Sequence, residues 1–248
     1  MEKKGKKFRP AKKKLENVDV LAFGAHSDDI ELGCGGLLVK MRNSGLSVGI
    51  IDLTRGEMNS KATPEVIASE AKQSAKILGA NFREILDLGD SRIEDTQKNR
   101  ILIAELIRKY RPSLVLAPYY NDRHNDHRTT GLLVRNSNLL CRLKKLDSAF
   151  PPHGPKLFLF YLLQDHAPPT IVIDITKYYS EKMQAIRAYR SQFEKKASEI
   201  GVVPIGIRDY LFHTESRNRF YGSLINARYG EAFLTEGPLD VRVLSILI

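Results

Sequence analysis

Tryptophan is absent from this 248-residue chain, and cysteine occurs only as Cys34 and Cys141. Two cysteines exclude a disulfide framework and a cysteine-rich zinc site. No apolar run approaches the roughly 20 residues needed to span a bilayer. The charged N-terminal stretch is not followed by an apolar segment of the signal-peptide kind. A cytoplasmic protein with no membrane partner is therefore expected. Internal repeats and low-complexity segments are also missing, apart from one basic stretch. Eight of the 39 Lys and Arg residues, but only one of the 29 acidic residues, fall within residues 1–14. The remainder is close to balanced, so the net charge of +10 is mostly local. Such a run reads as a solvated extension, and no aromatic interleaving marks a nucleic-acid module. Nucleic acid is accordingly not the expected partner. The expected organisation is a basic extension over 1–15 and a single domain over 16–248, long enough to bury a core.

Apolar runs of strand length alternate with helical patterns. Strands are expected at Val18–Phe23, Leu46–Leu53, Phe82–Leu88 and Leu114–Ala117. One helix carries Leu37–Met41 and stops near Gly45. A second starts at Thr63-Pro64-Glu65, with Thr as N-cap and Pro in the first turn, and ends at Gly79. Further helices are expected at Gln97–Arg108 and Gly131–Leu143. Two more strands, Lys156–Leu163 and Thr170–Ile175, precede helices over Lys177–Phe193 and Ile207–Ala227. This alternation predicts an α/β fold with a parallel sheet covered on both faces. In such sheets ligands bind at the carboxyl ends of the strands.

Polar residues gather at those ends. His26, Asp28 and Asp29 follow the first strand, Arg55 and Glu57 the second, and Arg123, His124 and His127 the fourth. A catalytic zinc takes three protein ligands, mixing His nitrogens with a carboxylate, and keeps a position for water. His26, one of Asp28 and Asp29, and one of His124 and His127 would supply that set. The other carboxylate is placed to act as general base, and the spare histidine to stabilise an oxyanion or protonate a leaving amine. The turn Gly33-Cys34-Gly35-Gly36 has neither the G-x-G-x-x-G pattern nor a G-K-[ST] ending, so nucleotide binding is not expected. Its glycines instead suit close helix–sheet packing, and Cys34 reads as a buried free thiol. His153, His166 and His213 lie outside both clusters and read as surface or structural residues.

Ala25-His26-Ser27-Asp28-Asp29, followed by Glu31-Leu32-Gly33-Cys34-Gly35-Gly36, resembles the AHPDD signature of the LmbE/PIG-L deacetylases. Asp122-Arg123-His124-Asn125-Asp126-His127 resembles their second motif. The likeness continues through Asp52–Glu57, Tyr189–Phe193 and Tyr229–Phe233, and covers about residues 17–235. It is closest to the branch that deacetylates N-acetylglucosaminyl malate in bacillithiol biosynthesis. The resemblance implies a Rossmann-like three-layer fold, a homo-oligomer and an N-acetylated amino-sugar glycoside as substrate. It implies a zinc ion, with Fe2+ or another divalent metal as alternatives, held by His26, Asp29 and His127. Asp28 would be the general base, and His124, oriented by Asp126, the transition-state stabiliser or acid. Arg55, Arg123 and Tyr210 would contact substrate or oxyanion. Ser27 stands where the family usually has proline. The segment after Glu57 also departs from the family pattern, and there Lys61 would supply a cation to a malate-type carboxylate.

Three readings follow. A metal-dependent hydrolase of linear amides uses every one of these residues. Two His and one carboxylate also describe the facial triad of non-haem iron oxygenases, but that reading leaves Asp28 idle. A basic binding protein acting through residues 1–14 is the non-enzymatic reading. A broader N-acetyl-sugar deacetylase, of chitooligosaccharide or mycothiol type, is the alternative within the first.

Overall fold

A computed structural model describes residues 16–194, 209–240 and 242. In chain order the elements are β1 (Val20–Gly24), α1 (Asp29–Asn43), β2 (Val48–Asp52), α2 (Pro64–Leu78), β3 (Phe82–Ile85), α3 (Gln97–Tyr110), β4 (Leu114–Pro118), α4 (Asn125–Leu140), β5 (Leu157–Tyr161), β6 (Ile171–Asp174), α5 (Tyr179–Arg187), α6 (Arg190–Phe193), α7 (Tyr210–Ser223) and β7 (Gly230–Leu234). The strands form one sheet in the order β3-β2-β1-β4-β5-β7-β6. Strands β1 to β5 pair in parallel, and β7 runs antiparallel between β5 and β6.

Every residue of β1, β2 and β4 is buried, as central strands of a two-sided parallel sheet require. Along β1, Val20 and Ala22 pack with α1 and α5, whereas Leu21 and Phe23 pack with α3 and α4. The period-two alternation thus gives the sheet two apolar faces and the fold three layers. From β1 the chain order reverses toward β2 on one side and β4 on the other. That switch point, at the carboxyl ends of β1 and β4, is where such sheets place ligands.

The helix boundaries follow local chemistry. The Thr63 hydroxyl accepts from the Val66 amide at the start of α2, Pro64 occupies the first turn, and Gly79 closes the helix at φ 72°. The first helix differs from the sequence expectation: it begins at Asp29, so the glycines lie inside it. Its backbone breaks at Cys34, with φ −140° and ψ 16°. A side chain at Gly33 would overlap the Tyr161 ring, and one at Gly36 would come within 2.8 Å of Ile175. The glycines therefore serve close helix–sheet packing. The single helix expected over Lys177–Phe193 is two, α5 and α6, and α7 is shorter than the expected Ile207–Ala227, whose first two residues lie outside the described residues. Strand β7 was not expected.

The break in α1 frees backbone groups that must find partners. Glu231, on β7, accepts from the Gly36 amide at 2.8 Å and the Leu37 amide at 2.7 Å. Lys182, on α5, donates to the Leu32 carbonyl at 3.0 Å and to Glu231 at 2.7 Å. Arg217, on α7, donates to the same Leu32 carbonyl at 2.6 Å and also to the Leu163 carbonyl. Lys182 and Glu231 form a fully buried pair. Removing one partner of such a pair costs about 3–5 kcal/mol, because the other charge stays buried and alone. Glu231→Ala is expected to destabilise the protein by about that amount in urea denaturation. Replacing both members of the pair with apolar residues is expected to cost less.

Candidate metal centre and active-site cleft

The chain leaves β1 at Gly24 and turns through Ala25–Asp28 into α1. Asp29 Oδ2 accepts from the amides of Ala25 at 3.0 Å and His26 at 2.9 Å. Its Oδ1 is left facing His127 Nε2 at 3.1 Å. His127 lies in the first turn of α4, and its Nδ1 is 3.2 Å from Asp122 Oδ1. Asp122 thereby turns the other ring nitrogen inward, the usual way a buried carboxylate orients a metal-ligating histidine. His26 Nδ1 lies 3.5 Å from Asp29 Oδ2, and its Nε2 lies 3.3 Å from both Asp90 Oδ1 and Asp126 Oδ2. One donor atom each of His26, Asp29 and His127 fall within 4.8 Å of one another. Two imidazoles and a carboxylate at that spacing fit zinc, and fit ferrous iron as well.

Electrostatics bind the cluster together. Burial alone would lower the His26 imidazole, but its contacts with Asp126, Asp29 and Asp90 raise it well above the usual range. Burial likewise opposes, and Asp29 and Asp122 outweigh it, at His127, which is pushed up to about 9. Burial would raise Asp29, yet His127 and His26 hold it well below the usual carboxylate range. Asp28 differs from its neighbour. Its side chain makes no capping hydrogen bond, and burial together with the charge of Asp29 pushes it up to about 6. The two adjacent carboxylates are thus separated electrostatically into a ligand-like group and a proton acceptor near neutrality.

Asp28, His26 and His124 border two hollows. One, of about 510 Å³, is walled by Leu32, Leu163, Gln164, Tyr210, His213 and Arg217. The other, of about 800 Å³, is walled by Met58, Asn59, Asp90, Ser91, Tyr189 and Gln192. His124 is the N-cap of α4, and its Nδ1 accepts from the Asp126 amide at 3.2 Å. The neutral ring therefore carries its proton on Nε2. Burial and the charges of His127 and His26 lower its pKa and favour that neutral form.

The structure brings His26, Asp28, Asp29, His124, His127 and Tyr210 to one cleft, and sets three expectations aside. Arg55 points away: it is exposed and lies 3.8 Å from both Glu65 and Asp87 on the far side of its loop. The Asp126 carboxylate does not orient His124, because it is turned to His26 and to the Ser91 amide at 2.7 Å; the Asp126 main chain does so instead. His213, expected to be a surface or structural residue, lines the cleft, where burial and the charge of Arg217 lower it to about 4. Arg123 and Lys61 sit at the margins. Arg123 Nε donates to Gln164 Oε1 at 3.0 Å, and Lys61 Nζ to the Gln192 carbonyl at 3.2 Å. Asp90, Asp122 and Arg217 were not anticipated. Asp122 stood inside the second motif, five residues before His127, and that spacing was its one visible signal.

Two outcomes follow for metal binding. Asp122→Ala is expected to weaken metal affinity about 10–100-fold, and His26→Ala, Asp29→Ala and His127→Ala to weaken it further. Metal content after dialysis checks both. In the metal-free protein His127, pushed up to about 9, holds a proton at pH 7, and the carboxylates around His26 favour its protonated form. Metal uptake must displace such protons. Calorimetry in buffers of different ionisation enthalpy should show proton release at pH 7, falling as the pH nears 9.

Residues 21–138 match the family described as PIG-L, GlcNAc-PI de-N-acetylase. The diacetylchitobiose deacetylase of Thermococcus kodakarensis is 30% identical over 227 residues, covering 86% of this chain and 80% of that protein. A probable N-acetyl-alpha-D-glucosaminyl L-malate deacetylase of Bacillus subtilis is 27% identical over 198 residues, covering 73% of this chain and 86% of that protein. The solved structure of a conserved protein from Thermus thermophilus superposes with a TM-score of 0.81 at 33% identity, covering 90% of this chain and 96% of that one. The paired motifs, the sheet order and these likenesses agree: the chain belongs to the PIG-L/LmbE family of N-deacetylases.

Proposed function

We propose that the protein removes the acetyl group from a terminal N-acetylglucosamine residue, with a zinc ion held by His26, Asp29 and His127. The observation that carries this reading is Asp28. It stands outside the group formed by His26, Asp29 and His127, it borders both hollows, and it is pushed up to about 6. An oxygenase has no use for such a base, whereas amide hydrolysis does.

A bound metal would supply Lewis-acid activation of the amide carbonyl and of the attacking water. The rest falls to side chains. Asp28 takes a proton from water as its oxygen adds to the carbonyl carbon. The neutral His124 donates its Nε2 proton in a hydrogen bond to the developing oxyanion. Tyr210, whose hydroxyl is kept protonated by burial and by Asp28 and Asp29, offers a second donor. Asp28 then passes its proton to the amide nitrogen as the carbon–nitrogen bond breaks, releasing acetate and a free amine.

The aglycone divides two readings. A neutral amino-sugar oligosaccharide needs no cationic contact. A malate conjugate, the assignment made from sequence resemblance, has lost Arg55 as a contact and rests on Arg123 and Lys61 at the cleft margin. The test is incubation of the purified protein with N,N'-diacetylchitobiose and, separately, N-acetylglucosaminyl malate, following free amine and acetate. Acetate from neither substrate would overturn the proposal. Asp28→Asn should retain metal and fold but lose at least about 10²-fold in kcat, the usual scale of general-base loss. Arg55→Ala should leave KM for either glycoside unchanged. Arg123→Ala should raise KM for the malate conjugate alone if that is the substrate.

A further inference from the structure

Helix α7 lines the smaller hollow with one stripe of residues. Tyr210, His213, Thr214 and Arg217 stand on its wall, at the three- and four-residue spacing that shares a helix face. The same spacing leads one turn further to Phe220 and Tyr221, about 10 Å beyond His213 along the helix axis. Tyr221 is buried, whereas Phe220 is 54% exposed. His166, an exposed residue between β5 and β6, fills the interval. Its ring centroid lies 6.2 Å from His213 and 6.3 Å from Phe220. Buried Tyr221 steadies both exposed rings: its hydroxyl is 3.4 Å from His166 Nδ1, and Phe220 stands edge-on to it at 5.1 Å. A track of aromatic rings therefore runs from the cleft wall to the open surface.

The track has a polar border. Gln164, which also walls the hollow, accepts from Arg123 at Oε1, which leaves its amide NH2 as a donor. Burial and the charge of Arg217 lower His213 to about 4, so that its ring is neutral at pH 7. Exposed apolar surface rimmed by polar groups marks a ligand groove. Aromatic rings beside a hydroxyl-binding group match a pyranose, which presents C–H bonds on its faces and hydroxyls around its edge. An acyl chain would leave Gln164 without use, and a small dicarboxylic acid such as malate has no ring face to lay on Phe220. The larger hollow supplies the complementary half. Asn59, Asp90, Ser91 and Gln192 on its wall meet the hydroxyls of a terminal sugar whose acetamide reaches Asp28, on the border of both hollows.

We infer that His213, His166 and Phe220 form a subsite for the pyranose linked to the sugar that loses its acetyl group, with Gln164 meeting the hydroxyls of this second ring. The inference rests on the reading of a terminal N-acetylglucosamine in the cleft. It names what lies beyond that sugar: a neutral pyranose rather than an anionic aglycone.

Calorimetric titration of the zinc-loaded Asp28→Asn protein, in which turnover is slowed, with N,N'-diacetylchitobiose and with N-acetylglucosamine tests this. The disaccharide should bind more tightly. Phe220→Ala and His166→Ala, each added to that background, should weaken the disaccharide roughly 2–10-fold, the scale of one aromatic contact, and leave N-acetylglucosamine unchanged. Phe212→Ala, on the same helix and also exposed but off the stripe, should change neither. Thermal melting should be unchanged in all three, so a loss of binding is not a loss of fold. Absence of disaccharide binding, equal affinity for the two sugars, or a disaccharide affinity that survives both substitutions overturns the inference. So does an N-acetylglucosaminyl malate that outbinds the disaccharide and responds to Arg123→Ala but not to Phe220→Ala. Acetate release by the unsubstituted protein is measured separately. Ring-dependent binding without acetate release would overturn the deacetylase reading and leave the subsite in place.

Discussion

The carbonyl of Ser27 is the point on which the site depends. It lies between His26 and Asp28, and two donors grip it from below, the Arg83 guanidinium and the Tyr189 hydroxyl. Arg83 is itself fixed by Asp52, at 2.7 and 2.9 Å, and by Glu31 at 2.6 Å. The Ser27 hydroxyl closes the ring by donating to Asp52 at 3.0 Å. All of these groups are buried or nearly so, where a charge is tolerated only when paired and hydrogen-bonded. Burial pushes Asp52 up to about 6 even with Arg83 beside it, a sign of how dry this network is. Its geometry sets the backbone of residues 26–29, and with it the directions of one imidazole and two carboxylates.

The same turn is held from the other end. The first turn of α1, Asp29–Gly33, is a short helical segment between the Arg83–Tyr189 grip and the break at Cys34. Lys182 and Arg217 converge on its last free carbonyl, at Leu32, while Glu231 caps the helix that resumes beyond it. Arg217 also belongs to α7, whose Tyr210 and His213 wall the cleft. The metal-ligand turn and the cleft wall therefore share a hydrogen-bonded anchor. Substitutions at Lys182 or Glu231 act on the site through position, whereas Arg217 also lines the cleft.

Much of this was legible in the sequence because it is local. Buried strands of a parallel sheet read as apolar runs, as at Val20–Gly24 and Leu114–Pro118. Polar residues just beyond them had to meet at the sheet's carboxyl rim. What escaped depends on partners far apart in the chain. Strand β7 has Glu231 at its second position, so it shows no apolar run, and that glutamate makes sense only beside the broken helix nearly two hundred residues earlier. The glycines at 33–36 read as a turn because nothing local reports the Tyr161 ring against Gly33. Arg55 lies after the correct strand, but the direction of its side chain is settled by Glu65 and Asp87. His213 was passed over because α7 reaches the cleft by a route that strand–helix alternation does not encode.

Carboxylates outnumber imidazoles in the cluster, so it favours positive charge. Asp28, Asp29, Asp90, Asp122 and Asp126 surround His26, His124 and His127 within one small buried volume. Without metal, the carboxylates favour protons on His26 and His127, the two imidazoles in direct contact with them. The His124 ring accepts from a main-chain amide and stacks on His127, and burial with the charges of His127 and His26 favours its neutral form. A divalent ion held by His26, Asp29 and His127, as proposed above, would take the place of protons on those imidazoles. Asp122 keeps His127 turned inward in either state. Asp28 makes no hydrogen bond from its side chain into the helix it caps, and the charge of His26 only partly offsets burial and Asp29. Its affinity for a proton is what remains of the surplus, and that remainder faces the cleft.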